Sequence, residues 1–407
     1  MAHFISLFSG AGGLDLGLEM AGWQCRYASD IDPDAVATIE ANRAAKLRCG
    51  AHLAFADAHV EKADVTKLHG ADILASAGAK RGEIPLIAGG PPCQSWSSAG
   101  HQLGFDDPRG RLWSDFVRIA EEIDARWLVF ENVRGLLTAR GADGVPGSAL
   151  ATIRKNLLHA GFQTTVALLN AADFGVPQRR VRLFIVGYRA GDAPAFPSPT
   201  HTKNGDEAQG LSPWVSLGDC LSEIAPVSDQ EIIRPTGKMA LELAGIPPGS
   251  GVKSMGKVES TRPGGHWGYK QGAFVADPAL PSRTVTASSQ QDWLRDPMLG
   301  LRRLSPRECA ALQTFPETFV WAARRSAQYR LIGNSVPPRL AAAIGSQLLG
   351  AVAGLERPVS EPHEGLSPLP PELQAAINYT AREERANGHS RRLAPSRRKR
   401  RAPVANV

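Results

Sequence analysis

Apolar and polar positions fall into blocks from the start of the chain. Phe4-Ile5-Ser6-Leu7-Phe8 is a short apolar run that stops at Ser9-Gly10-Ala11-Gly12-Gly13, and Leu14, Leu16, Leu18, Met20 and Ala21 then supply the apolar positions of a helix. This order predicts a strand, a glycine turn and a helix. A second such unit runs from Cys25-Arg26-Tyr27-Ala28 into Asp30-Ile31-Asp32-Pro33, where Pro33 fits a first helical turn that Ala35 to Asn42 continue. Buried strands are predicted at Leu86 to Ala88, Trp127 to Phe130 and Leu183 to Gly187, with helices around Ser114 to Ile123 and Ser148 to Leu158. Alternating strands and helices argue for an α/β fold on a parallel, doubly wound sheet.

That rhythm breaks after Arg189. Residues 190–300 are rich in Pro, Gly and Ser, with only short strand-like pieces at Phe274-Val275 and Arg283-Thr284-Val285-Thr286. A second, smaller and irregular domain with β content is expected there. Helical pattern returns at Ser305 to Thr314 and at Pro338 to Val352. The expected division is a first domain over 1–189, completed by 329–352, a second over 190–328, and a tail over 353–407.

Composition narrows the classes. With 407 residues, 43% apolar and 21% charged, most of the chain is expected to fold. No run approaches the roughly 20 apolar residues of a membrane span, and the first ten residues lack a basic stretch followed by an apolar one, so the default expectation is a cytoplasmic protein. Five cysteines without a C-x-x-C pair suggest neither a disulfide framework nor a zinc site, and no metal is expected. The net charge of +6 is uneven. Seven basic residues and no acid lie between Arg391 and Arg401, in a Ser/Pro/Ala context that reads as a disordered cationic tail able to attract polyanions.

Several segments carry candidate chemistry. The glycine cluster after the first strand lets backbone approach a ligand closely, and the helix that follows offers unpaired N–H groups, so a nucleotide-like cofactor fits there. Asp30 and Asp32 end the second strand, where an acid accepts hydrogen bonds from a ribose. The cluster departs from G-x-G-x-x-G, which argues against a dinucleotide. Cys93, in Gly89-Gly90-Pro91-Pro92-Cys93-Gln94-Ser95-Trp96, is a thiol on a proline-fixed turn at the carboxyl edge of the expected sheet, placed to attack a substrate. Glu131 follows another apolar run; poorly solvated there, it can keep a proton and meet a ring nitrogen. Arg180 and Arg182 fall on one side of a strand by period-2 alternation. Within the irregular domain, Lys253, Lys257, Arg262 and His266 are interleaved with glycines, Trp267 and Tyr269, a composition suited to phosphate contact and base-edge reading.

In this order and spacing, these segments closely resemble the cytosine-C5 DNA methyltransferases, over nearly all of residues 3–346. The match takes in Phe8 to Gly13, Asp30, Asp64 in Ala63-Asp64-Val65-Thr66, Gly90 to Gln94, Glu131-Asn132-Val133 and Gln178 to Arg182. It continues through Arg303-Leu304-Ser305-Pro306-Arg307-Glu308, Phe315-Pro316 and Gly333-Asn334-Ser335-Val336-Pro337. Asp30 stands where Glu is usual and Ile31 where an aromatic often covers the adenine. The resemblance implies a Rossmann-like methyltransferase sheet, a target-recognition domain and S-adenosylmethionine as cofactor. It places Phe8, Gly10, Gly12, Gly13, Asp30, Ile31, Asp64, Pro92, Asn334 and Ser335 around that cofactor, Cys93, Glu131, Arg180 and Arg182 at the reacting base, and Gln94 and Ser95 on DNA. The implied reaction is attack by Cys93 on C6 of a flipped cytosine in a specific duplex, with Glu131 on N3 and the exocyclic amine. A cognate restriction endonuclease acting on the same site would be a natural partner. Two other readings stay open at this level: an RNA methyltransferase on the same scaffold, and an inactive DNA-binding regulator.

Overall fold

The computed structural model describes residues 2–50, 52–92, 112–189, 193–252, 273–353 and 365–391. Its centre is a seven-stranded sheet. In chain order, β1 (Ala2–Leu7) leads to α1 (Gly13–Met20), β2 (Trp23–Asp30) to α2 (Pro33–Ala44), and β3 (His59–Lys62) to α3 (Gly70–Ala77); β4 (Leu86–Gly89), α4 (Leu112–Glu122), β5 (Trp127–Val133), α5 (Ser148–His159), β6 (Gln163–Asn170) and β7 (Val181–Tyr188) follow. Across the sheet the strands run β3-β2-β1-β4-β5-β7-β6. The chain thus has the α/β doubly wound architecture.

One part departs from the fully parallel expectation. β7 pairs antiparallel with both β5 and β6. The ten residues between Asn170 and Val181 are fewer than the dozen or more that a parallel crossover needs, so the chain turns back instead. β6 itself was not anticipated: its buried positions, Thr164, Val166 and Leu169, alternate irregularly and include a threonine.

Both faces of the sheet are covered, because its strands are apolar on both sides. One core gathers Ile5, Leu7, Ile87, Phe116, Phe130, Leu150 and Ile185; the other gathers Phe4, Trp23, Leu86, Trp127 and Phe184 with residues from the end of the chain. Those late residues belong to α8 (Pro306–Leu312), α9 (Arg325–Asn334) and α10 (Pro338–Ala353), labels that follow α6 (Leu217–Ser222) and α7 (Gly237–Ala244). α10 lies directly on α1: a Cβ at Gly17 would stand 2.4 Å from that of Ala341, and Trp23 Nε1 donates to Gly345 O at 2.9 Å.

The irregular region contains a four-stranded sheet of β8 (Ser250–Gly251), β9 (Phe274–Val275), β10 (Trp293–Asp296) and β11 (Gly300–Arg303), over a small core of Leu243, Ile246, Val275 and Trp293. Arg283 to Thr286, expected as a strand, joins no strand ladder. Its backbone is spent on side chains instead, Val285 N–H donating to Gln178 Oε1 and Val285 O accepting from Arg180. β11 is followed by a capping box in which Ser305 and Glu308 bond reciprocally, and Arg302 bridges Glu308 and Asp296 at 2.8 Å each.

The tail requires a correction. Residues 365–391 are not an unstructured arm, because α11 (Pro371–Arg391) docks on the body: Leu373 is buried in the sheet's first core, Ile377 packs beside it, and Arg154 Nη2 donates to Ser367 O at 2.6 Å. Leu373, Ala376 and Ile377 form a helical apolar stripe, extended by Leu369 just before the helix, that the neighbouring run of basic residues masks in composition. The basic residues from Arg392 onward lie outside the described residues.

Candidate active site

A cavity of about 370 Å³ opens where β1, β2, β4 and β5 end, at the carboxyl edge of the sheet. This is where doubly wound sheets bind ligands. Four chain segments shape it. The first is the glycine turn. Phe8 takes φ 57°, a left-handed conformation uncommon for a large side chain, and Gly10 N–H donates to Asp30 Oδ2 at 2.8 Å. Gly13 allows the late part of the chain to approach, since a Cβ there would stand 2.4 Å from Val336 O. Gly12, like Ala11, does not line the cavity. Its φ of 78° and a Cβ position 2.7 Å from Phe55 Cζ make it a packing requirement.

Acids end the next two strands. Asp30 accepts one backbone N–H on each oxygen, from Gly10 and from Asp32 (2.9 Å), and burial raises its pKa against those bonds. Ile31 is 63% exposed at the cavity lip, an apolar side chain held in solvent beside the opening. Asp64 caps a short turn through Thr66 N–H at 3.1 Å and Thr66 Oγ1 at 2.8 Å, and these bonds, the hydroxyl's first, hold its carboxyl below the usual range.

Opposite, β4 runs into Gly89-Gly90-Pro91-Pro92, with Asn132 Nδ2 donating to Pro91 O at 3.2 Å. Glu131 and Arg182, on the adjacent strands β5 and β7, pair across the cavity wall at 3.0 Å with side chains 12% and 13% exposed. Burial raises the Glu131 pKa, and Arg182, then Arg180, oppose it. Gly90 leaves room for this carboxylate, because a Cβ there would lie 3.0 Å from Glu131 Oε2.

Arg180 carries a task that its place in the sequence does not suggest. It is 1% exposed; Nη1 donates to Val285 O at 2.9 Å, and Nη2 donates to Gly333 O at 2.7 Å and Ser335 O at 2.9 Å. It is a positioning residue that ties β7 to the irregular region and to the turn ending α9. That turn, Gly333 to Val336, supplies the fourth wall, including the expected Asn334 and Ser335. Gly333 is required because the Thr286 backbone passes 2.1 Å from where its Cβ would stand.

The structure therefore brings Phe8, Gly10, Gly13, Asp30, Ile31, Asp64, Pro92, Glu131, Arg180, Arg182, Asn334 and Ser335 to one cavity. Cys93, Gln94, Ser95, Lys253, Lys257, Arg262 and His266 lie outside the described residues. Two buried residues escaped the sequence reading. Gln313 donates to Ile332 O at 2.7 Å and accepts from Gln178, extending the Arg180 network. Asp15, fully buried, accepts from Ser6 Oγ at 2.5 Å. Among the described residues, one trio of metal-type ligands converges, Glu19, Cys49 and His52, but Glu19 already receives the N–H groups of Phe55 and Cys25.

Comparison with known proteins agrees with this geometry. A Type II methyltransferase of Haemophilus parahaemolyticus, M1.HphI, is 32% identical over 351 residues, covering 85% of this chain and 86% of that protein. M.FnuDI of Fusobacterium nucleatum, also a Type II methyltransferase, is 30% identical over 366 residues, covering 87% and 96%. The fold matches a DNMT2 of Spodoptera frugiperda (TM-score 0.59, 18% identity, 87% of this chain and 100% of that one) and the Dnmt2 methyltransferase of S. pombe (TM-score 0.59, 19%, 86% and 99%). The family model for C-5 cytosine-specific DNA methylases matches residues 2–350, and the chain belongs to that family.

Proposed function

We propose that this DNA cytosine methyltransferase transfers the methyl group of S-adenosylmethionine to C5 of a cytosine within a specific duplex sequence, through a covalent Cys93–C6 adduct on a base turned out of the stack. We further infer that it protects sites cut by a cognate endonuclease, as the Type II relatives suggest. The observation that carries the reading is the buried Glu131–Arg182 pair, in the cavity whose wall at Pro91-Pro92 continues in sequence into Cys93.

The residues present fit the cofactor. The N-terminus of α1 has no side-chain cap, Asp30 and Asp64 offer acceptors at the ends of β2 and β3, and Ile31 offers an apolar face at the lip. Bound there, S-adenosylmethionine supplies an electrophilic methyl group on a sulfonium.

The chain's own residues do the rest. Cytosine C5 is too weak a nucleophile unaided; addition of the Cys93 thiolate to C6 moves electron density toward N3 and C5. Glu131, its pKa raised by burial, hydrogen-bonds N3 and delivers a proton there, leaving a neutral enamine whose C5 takes the methyl group. Arg182 holds the Glu131 carboxylate in place and balances its charge once that proton has left. Loss of the C5 proton to a solvent water then expels the thiolate, and return of the N3 proton to Glu131 restores the neutral aromatic ring and the enzyme's starting state.

Incubation with tritiated methyl donor is expected to label duplex DNA and not RNA, and Cys93→Ala to abolish labelling. A duplex carrying 5-fluorocytosine at the target is expected to trap a denaturation-resistant adduct, since fluorine cannot leave as a proton. Label in RNA alone, or appreciable turnover by Cys93→Ala, would overturn the proposal.

A further inference from the structure

The lining of the cavity is rich in carboxylates, and nearly all have identifiable donors. Asp30 receives two backbone N–H groups, Asp32 holds Arg330 and the N–H of Asp34, Asp64 holds Thr66, and Glu131 holds Arg182. Both guanidinium groups of the lining are themselves engaged, Arg180 on carbonyl oxygens and Arg182 on Glu131. Asp15 differs in one of its two oxygens. It is fully buried in the first turn of α1, its Oδ1 accepts from Ser6 Oγ, and Ser9 Oγ in turn donates to Ser6 Oγ at 2.9 Å. Its Oδ2 is the one buried carboxylate oxygen without a hydrogen-bond donor among the described residues. A buried polar atom left this way is costly, and the cost is removed when a ligand supplies the donor.

We propose that Asp15 Oδ2 is the acceptor for the α-ammonium group of the methyl donor, so that Asp15 recognises the amino-acid end of that ligand. The proposal rests on the S-adenosylmethionine reading above. Three observations select the ammonium over the ligand's other groups. A primary ammonium carries three N–H donors, whereas a sulfonium carries none and gives a buried oxygen no hydrogen bond. Hydroxyl and ring-amine donors are matched by Asp30 and Asp64 at the ends of β2 and β3, with Ile31 on the lip between them. Asp15, by contrast, sits behind the end of β1, beside Ser6 and Ser9. The lining bears more acidic than basic side chains, so a cationic ligand group is favoured over an anionic one. The carboxyl of Asp15 is pushed up to about 7 by burial, against the lowering effect of its hydroxyl neighbours Ser6 and Ser9, which agrees with an acid waiting for a cation.

Calorimetric titration of the full-length enzyme and of Asp15→Asn tests this with three ligands: S-adenosylmethionine, S-adenosylhomocysteine, and the analogue of S-adenosylhomocysteine lacking the α-amino group. Asn is isosteric and still accepts from Ser6. Loss of one charge-assisted bond is expected to weaken both amino-bearing ligands by about 10- to 100-fold and to leave the deaminated analogue unchanged. A second variant, S6D/D15S, keeps one carboxylate and one hydroxyl in the pair and is expected to restore most of the affinity; it also serves if Asp15→Asn folds poorly. Equal weakening of all three ligands, weakening of S-adenosylmethionine alone, or no weakening overturns the assignment. Failure of the unmodified enzyme to bind S-adenosylhomocysteine at all overturns the cofactor reading itself.

Discussion

Arg180 offers the sharpest test of how the cavity is held together. Replacing it with methionine keeps the stem and removes the guanidinium that reaches Val285 O, Gly333 O and Ser335 O. Ser335 O retains a second donor, Gln313 Nε2 at 3.3 Å, so the two carbonyls of Val285 and Gly333 bear the loss. At about 1–3 kcal/mol for each buried group left unsatisfied, the cost is about 2–6 kcal/mol. Removal of the guanidinium also relieves its own desolvation, which places the expected destabilisation in the lower part of that range, about 2–4 kcal/mol. Urea unfolding followed by tryptophan fluorescence measures it. Because Gly333 to Ser335 form one wall of the cavity, affinity for S-adenosylhomocysteine is expected to fall with stability, and Arg180→Lys, with one compact ammonium, to lie between the two. A stability loss under about 0.5 kcal/mol, or a larger one with unchanged ligand affinity, would show that Arg180 does not position this wall.

Glu131→Gln keeps a hydrogen-bonding group but no transferable proton, and is expected to cut kcat by about 10²- to 10⁴-fold with little change in DNA affinity; parallel losses in both would contradict the assigned role. The raised pKa of Asp15, about 7 against 3.8, means that the folded state binds the proton more tightly, so this group's contribution is complete below about pH 4 and is lost as pH rises toward 7. In Asp15→Asn the fall in unfolding free energy across that window is expected to be shallower by up to about 1.4 kcal/mol per pH unit, and identical slopes would refute it. Leu373→Ala, at a site 5% exposed, is expected to cost about 2–5 kcal/mol in chemical unfolding if α11 is part of the folded body, and almost nothing if it is not. Alanine at Lys257, Arg262 and His266 is expected to reduce discrimination between target and altered duplexes by about 1–3 kcal/mol per lost base contact; undiminished selectivity would place recognition elsewhere in the irregular domain.

The sheet was legible where apolar runs were strong. β1, β4, β5 and β7 each hold a short run dominated by Val, Ile, Leu and Phe, and the glycine turn announces itself. β6 was not, because Gln163-Thr164-Thr165 dilutes its pattern, and neither was the antiparallel setting of β7, which depends on the length of the return from β6. α11 was hidden because four apolar residues in a charged, proline-flanked stretch show themselves as a core face only once a partner surface exists. In the site, residues at strand ends were readable from position alone, as with Asp30 and Glu131. Asp15 was not, since its neighbours Leu14 and Leu16 are the residues that periodicity marks as buried, and an acid between them reads as solvent-facing. The network around Arg180 was not legible for a related reason: alternation places it beside Arg182, whereas the carbonyls it reaches come from residues 285, 333 and 335, far away in sequence.

Those long-range partners explain why the cavity cannot be assigned to the first half of the chain. The glycine turn follows β1, yet the surface facing it comes from Gly333 to Val336, and the contacts that bring these distant segments together are closer than a side chain would allow: Gly13 against Val336, Gly333 against Thr286, Gly17 against the start of α10. Glycine at these positions serves apposition of distant segments more than backbone freedom, since Gly13, Gly17 and Gly333 all lie outside the positive-φ set. The buried amides of Gln178 and Gln313 and the guanidinium of Arg180 then hold what the glycines allow to meet. Such a network is stable only when every member is satisfied, so closing the chain's end over its beginning and forming the ligand wall are one event. A ligand that spans the cavity from Asp30 to Ser335 therefore joins two halves of the fold, and its binding energy adds to the stability of the interface that the irregular region is threaded through.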